Sequence, residues 1–385
     1  PTAAPEVSVE AEETVYTYTP AKNGAGPMWC AGSTSIVRTR DRLFATGLET
    51  IDNEEPLNNC RWVLYERFPK GWKRIYEDEG RTREPSPLAA FHSGDVWVSG
   101  NPTLGNGPEP GGGPAQPEVH WLSPNGSGEV ITPEWKGSPP FREHSYRSLA
   151  ADGPRGELIL LHNIGYTNAE WSFRNATGSW SHQGQLVWPW GSDYEDPKPI
   201  RLCYPNVALK DRAVHFFGVE DVTEPVSAWR DFKRELTGNQ WDYVFRRLYY
   251  THTPDITSTP FAEWHEIATV QTTSGHLWPC DLLLGSDGDV HLLWSETALD
   301  ERLRPKFFPD ARQARRLHYA RLKHGVRTYH SVLLEALEDQ TVDVLHASRA
   351  RFHATPEGRL LVVAHVLGFD GEGKPVNENR LLALG

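Results

Sequence analysis

Five short stretches of this sequence place arginine, histidine and tyrosine at recurring positions. They read Arg83-Glu84-Pro85-Ser86-Pro87, Glu143-His144-Ser145-Tyr146-Arg147, Arg201-Leu202-Cys203-Tyr204-Pro205-Asn206, His276-Leu277-Trp278-Pro279-Cys280-Asp281 and Arg349-Ala350-Arg351-Phe352-His353. Guanidinium groups converging on one point suit a carboxylate or a sulfate, which the planar fork meets with paired hydrogen bonds. His144, Tyr146 and Tyr204 are the proton-transfer candidates. Histidine is the usual acid or base near neutrality, and a tyrosine flanked by arginines is expected to have its pKa lowered toward that role. Together these groups match a β-elimination on a uronic acid. A cation pairs with the carboxylate and acidifies the neighbouring C–H, a base takes that proton, and an acid protonates the departing glycosidic oxygen. The catalytic roles then fall on His144, Arg147, Arg201 and Tyr204. Hydrolysis would need two carboxylates flanking the bond, about 5–5.5 Å apart for retention or about 6.5–9.5 Å for inversion. Glu84, Glu143 and Asp281 are the acids available for it.

The remaining members of these stretches read as substrate contacts: Tyr146, Arg83, His276, Trp278 and Arg351, with His92 added from a nearby hairpin. Arg246 and Arg247 are adjacent on a strand, so their side chains point to opposite faces and only one reaches a ligand. Arg247 is taken as that one. Each arginine has a second reading, as a strap between neighbouring structural units. Likewise His92, His215, His291 and His365 fall within hairpins, where packing is the competing role.

What positions these stretches is a repeat. Six segments share an apolar strand, a tight Gly/Asp turn and a second, strongly apolar strand: 35–47, 87–100, 148–163, 206–219, 281–295 and 351–366. Each reads as a β-hairpin. The turn markers Asp41, Gly94, Gly156, Asp211, Gly288 and Gly358 recur 53–77 residues apart, the spacing of propeller blades with their loops. The five stretches lead into the first strand of a hairpin, which in a propeller lines the axis, and loops at that place carry function. The expectation is an all-β chain of one β-propeller, with six repeats counted. Residues 1–13 form a flexible segment and 14–385 the propeller. Val15-Tyr16-Thr17-Tyr18 closes it as an extra strand beside Asn379–Leu384. Helix is expected only near 226–236.

Composition sets the boundaries. The formal charge is −12 with no basic stripe, which speaks against a nucleic-acid partner. No apolar run approaches the roughly 20 residues of a membrane span. Pro1 and the small polar stretch after it read as a mature N-terminus, so the expected location is secreted or periplasmic. Cys30, Cys60, Cys203 and Cys280 contain no CxxC pair. Cys30 and Cys60 are either a disulfide or, like the others, buried thiols.

At Glu143–Arg147, Arg201–Asn206 and the hairpin 288–294, GDVHLLW, the sequence resembles a group of propeller carbohydrate enzymes. These are the rhamnosyl-glucuronate lyase/α-L-rhamnosidase family acting on gum-arabic-type glycans and the related ulvan lyases. The likeness runs from about residue 30 to the end. It implies seven blades, no organic cofactor, and a metal ion, calcium, at the propeller core, with ligands unassigned. It also implies that His144 is the base or acid, that Arg147 and Arg201 bind the uronate beside Tyr204, and that a second histidine, His120 or His92, assists. The implied partner is an acidic oligo- or polysaccharide, cleaved next to a uronic acid. Two rivals stand beside a lyase: an α-L-rhamnosidase or sialidase-like hydrolase on the same fold, and a non-catalytic propeller that binds an acidic glycan.

Overall fold

The computed structural model describes residues 7–105 and 112–384. Its strands form six antiparallel blades in chain order, spanning 36–77, 88–131, 147–187, 202–269, 274–337 and 344–383. The first five have four strands each and the sixth has three. Six blades match the hairpin count. The seventh blade implied by the resemblance is absent among the described residues. The strand pairs left over, Trp190–Gly191 with Lys198–Pro199 and Val222–Thr223 with Tyr243–Val244, are two-residue ribbons in loops, too short to build a sheet.

Alternation along each strand explains how the blades hold together. In Glu157–Ile164, Leu158 and Leu160 pack with Phe91 and Trp97 of blade 2. Ile159 and Leu161 point the other way and pack with Phe216 of blade 4. A period of two lets one strand feed two cores. Leu158, Leu160, Phe216, Leu292 and Val362, all expected between blades, are each 0% exposed. The first strands of successive blades touch one another around the axis, so the stretches leading into them meet on one face.

The axis is occupied by the chain itself. Residues 29–34 cross it, and Gly32 lies so close to the carbonyl oxygens of Tyr204 and Pro205 that any Cβ there would collide with them. Ser33 Oγ donates to the Arg147 carbonyl at 3.0 Å. Arg351 reaches in from blade 6 and donates to Asn206 Oδ1 and Asp281 Oδ1, each at 3.1 Å, and to the Ala31 carbonyl.

The N-terminal segment differs from expectation. Val15–Tyr18 forms no strand, and the last blade ends on Pro375–Ala383. The segment lies along blade 1 instead. Tyr16 stacks on Tyr65 with ring centres 5.0 Å apart, and its hydroxyl accepts from Leu48 N at 3.3 Å. Gly47 makes room for that ring, since a Cβ there would sit 2.9 Å from it. Glu13 pairs with Arg67, so the segment expected to be flexible is anchored at its end, while residues 1–6 lie outside the described ones. All four cysteines are buried free thiols. The one long helix among the described residues, Ser227–Thr237, rises from the blade 4 insertion.

Two outcomes follow from this packing. Leu292→Ala should lower unfolding free energy by about 2–5 kcal/mol through cavity formation, read from reversible urea unfolding. The second concerns pH. His162 is fully buried between Phe141 and Trp135, and burial, then the nearby Arg147, hold its pKa well below the usual histidine value. His215 is pushed down to about 4 by burial and then by His252. The unfolded chain therefore takes up these protons first. Stability is complete above about pH 6.5 and is lost as pH falls toward about 4. Urea midpoints that stay level between pH 7 and pH 4 would contradict this.

Candidate active site

A cavity of about 510 Å³ opens over blades 2, 3 and 4. Five of the expected residues line it: Arg83, His144, Tyr146, Arg201 and Tyr204. His144 projects from the loop leading into blade 3, with Nδ1 2.5 Å from Glu84 Oε1 of the blade 2 loop. Its ring stacks on Trp29 at 5.6 Å and 11°. Glu84 is 1% exposed, so the carboxylate end of this pair is shielded from water, and with Nδ1 engaged the remaining nitrogen is Nε2. The neighbouring carboxylate is equally tied down. Glu143 Oε1 accepts from Thr82 Oγ1 at 2.8 Å and from Arg83 N at 2.5 Å. Burial, then the adjacent Glu84, raise the pKa of Glu143.

Arg201 sits on the far wall. Its Nη2 bonds Asp221 Oδ2 at 2.7 Å, and its guanidinium lies 4.0 Å from the Tyr166 ring, 5.3 Å from Tyr243 and 5.9 Å from Tyr146. Tyr204 stands where a β-bulge interrupts the first strand of blade 4, between Cys203 and Asn206, with φ of 50°. Bulges re-aim side chains in this way, and a non-glycine residue in that region is held by its surroundings. Tyr146 donates to Tyr204 across 3.3 Å. The expectation of lowered tyrosine pKa values is reversed. Burial raises Tyr146 and Tyr204 far above the ordinary phenol value. Both are hydrogen-bond donors at neutral pH, not bases.

Several expected residues lie elsewhere. Arg147 is 2% exposed and its Nη2 reaches Pro85 O and Ser86 Oγ at 3.4 Å, so it straps blade 3 to blade 2 beneath the cavity. Arg351 is the axial strap already described. Arg247 pairs with Asp193 and stands over Tyr194, away from the cavity. His92 occupies the blade 2 hairpin turn beside Gly153, and His120 is buried between blades 1 and 2, so neither lines the cavity. Trp278 packs behind Tyr204 at 4.4 Å. His276 lines a neighbouring cavity of about 310 Å³ that shares Tyr243 and Phe245. The calcium ion implied at the core does not fit the axis, because the Asn206, Asp281 and Ala31 oxygens that converge there are engaged by the Arg351 guanidinium.

Sequence reasoning missed Trp29, Arg142, Tyr166, Asp221 and Tyr243, which also line the cavity. For Arg142 a signal exists: Arg83-Glu84-Pro85-Ser86 and Arg142-Glu143-His144-Ser145 are the same motif on successive blades. Neither Arg83 nor Arg142 forms an ion pair among the described residues.

No protein-family model matches this sequence, and no curated protein matches it. Several solved structures resemble it. An ulvan lyase of polysaccharide lyase family PL25, bound to -[GlcA(1-4)Rha3S]-, superposes with a TM-score of 0.50 at 9% identity over 91% of this chain and 83% of that one. An α-L-arabinofuranosidase from Fusarium graminearum gives 0.46 at 12% over 90% and 91%. The polysaccharide lyase Uly1 gives 0.42 at 12% over 98% and 94%. At 9% identity the likeness to the first of these is one of fold alone.

The tyrosine environment is testable by absorbance titration. A Tyr146→Phe/Tyr204→Phe double variant should release as much phenolate as the parent between roughly pH 9 and 11, where ordinary phenols ionise. A smaller release would mean that one of them ionises there.

Proposed function

We propose that the protein is a carbohydrate-active lyase that breaks a glycosidic bond beside a uronic acid by β-elimination, on a rhamnosyl-glucuronate type of glycan. The observation that carries this reading is the Glu84–His144 pair opening into a cavity walled by Arg83, Arg142 and Arg201. The arginines neutralise the uronate carboxylate, and their attraction grows as negative charge builds beside it in the transition state. His144 Nε2 takes the proton from C5. Those electrons form the C4–C5 double bond as the C4–O4 bond breaks. Tyr204, kept protonated by burial and accepting from Tyr146, gives its proton to the departing oxygen. Glu84 holds the imidazole in its productive tautomer and stabilises the imidazolium that forms, as a buried carboxylate does in an Asp–His pair.

Hydrolysis fits less well, because it needs two carboxylates free to flank the bond. Glu84 and Glu143 are almost wholly buried and bonded, and Asp221 is paired with Arg201.

The test is incubation with glucuronate-containing polysaccharides while following the ultraviolet absorbance of the unsaturated uronate. Absorbance should rise. Reducing ends without absorbance would indicate hydrolysis, and binding without turnover a lectin. His144→Ala should lower kcat by roughly 10²–10⁴-fold with the fold intact. Arg201→Lys should lose most activity, because a point charge replaces neither the fork on Asp221 nor the flat surface between the tyrosine rings. Near-normal turnover in both variants would overturn the site assignment.

A further inference from the structure

A second cluster of chemistry-bearing side chains lies between blades 1 and 2. Asp78 follows the last strand of blade 1, while Glu118 and His120 share one face of the strand Glu118–Leu122 in blade 2. Their ligand atoms all lie within 4.8 Å of one another. His120 Nε2 is 2.7 Å from Glu118 Oε1 and 3.9 Å from Asp78 Oδ1. Asp78 is 5% exposed and His120 3%, and the Glu118 side chain is 18% exposed.

Three further observations point to a ligand. The Asp78 Oδ2 atom is buried without a hydrogen-bond partner. Neither carboxylate is ion-paired with a lysine or arginine among the described residues, so two negative charges share a shielded place with one imidazole. Such burial is costly unless a cation neutralises it. Finally, glycines let the backbone approach these donors closely. A Cβ on Gly100 would come within 3.0 Å of Glu118 Oε1 and 3.2 Å of His120 Nε2, and one on Gly80 within 3.0 Å of Asp78 Oδ2.

The imidazole is oriented for the purpose. Tyr76 Oη lies 3.2 Å from His120 Nδ1, and Trp62 meets the ring edge-on at 4.7 Å. With the proton on Nδ1 donated to Tyr76, the Nε2 lone pair faces the carboxylates, the arrangement of a metal-bound histidine with its outer hydrogen bond. Donors around a tetrahedral zinc ion stand about 3.3 Å apart given bonds of about 2.0–2.2 Å. The 2.7 and 3.9 Å separations bracket that value.

We propose that Asp78, Glu118 and His120 bind one divalent transition-metal ion of the zinc class, which clamps blade 1 to blade 2. One imidazole with two carboxylates favours such an ion over calcium, which takes oxygen donors only. Three protein ligands leave a fourth position for water. The ion braces the loop from residue 79 to 87, which carries Arg83 and Glu84, and touches no group assigned to proton transfer.

The purified chain is stripped with a chelator, loaded with zinc chloride, passed through a desalting column and analysed for metal. The parent should retain about one zinc per chain and melt at a higher temperature than the stripped protein. Asp78→Asn and Glu118→Gln should lose both effects. A parent that retains no zinc, as expected if a proton alone bridges the cluster, overturns the proposal, and so does equal retention in both variants. Should the variants fail to fold, X-ray absorption of the zinc-loaded parent decides. One nitrogen among oxygen donors supports the site, and two or more imidazoles overturn it by pointing to other histidines.

Discussion

Two buried carboxylates exchanged between neighbouring blades hold the candidate site together. Glu84 of the blade 2 loop reaches forward to His144 of the blade 3 loop, and Glu143 of the blade 3 loop reaches back to the backbone of Arg83 and the hydroxyl of Thr82. Each carboxylate is almost fully removed from water, so each must keep its partners or suffer the full desolvation cost. The exchange therefore fixes the distance between two loops that would otherwise move independently. It also explains why Arg147 is withdrawn beneath them: a guanidinium bonded to Pro85 O and Ser86 Oγ supplies the positive charge that two close carboxylates require. An imidazole held in this way is preorganised before any ligand arrives, which is where electrostatic catalysis gains most.

The fold was legible because its cause is periodic. Apolar residues at a spacing of two, separated by turn residues at blade intervals, have few other ways to bury both faces of each sheet. What misled was the resemblance, in giving a seventh blade, and the orphan sequence Val15–Tyr18. That sequence has strand composition, yet the open face left by Gly47 captures Tyr16 on blade 1 before it can pair elsewhere.

The site was legible only in part, for a physical reason. Arg201, Arg147 and Arg351 occupy comparable stretches and look alike in sequence. Their roles depend on what lies opposite. Asp221 and three tyrosine rings keep Arg201 at the cavity wall, backbone oxygens draw Arg147 down, and Asp281 with Asn206 draws Arg351 across the axis. None of these partners is near in sequence. Trp29 comes from a segment outside the repeat, so no equivalent in another blade marks it. The tyrosines differ: arginines near them in sequence imply a lowered pKa, but burial, which no local sequence shows, raises it.

A propeller offers its axis as the symmetric place for a ligand, and here that place is filled. Gly32 packs against the carbonyls of blade 4, and Arg351 collects the remaining oxygens, so the open volume is displaced over blades 2–4. The displacement makes the blade 4 insertion necessary. Lys233 on its helix is buried against Glu224 and Asp242, and Glu224 also binds Arg246, whose Nη2 bonds Ser274 of blade 5 at 2.8 Å. That chain of charges holds the insertion against the next blade and sets Tyr243 and Phe245 between the larger cavity and its neighbour. A flexible loop could not serve as this wall, because Arg201 needs Tyr243 fixed on one side as firmly as Asp221 on another. The asymmetry of the site thus originates in one insertion and one glycine, superimposed on a repeat that would by itself have put the ligand in the middle.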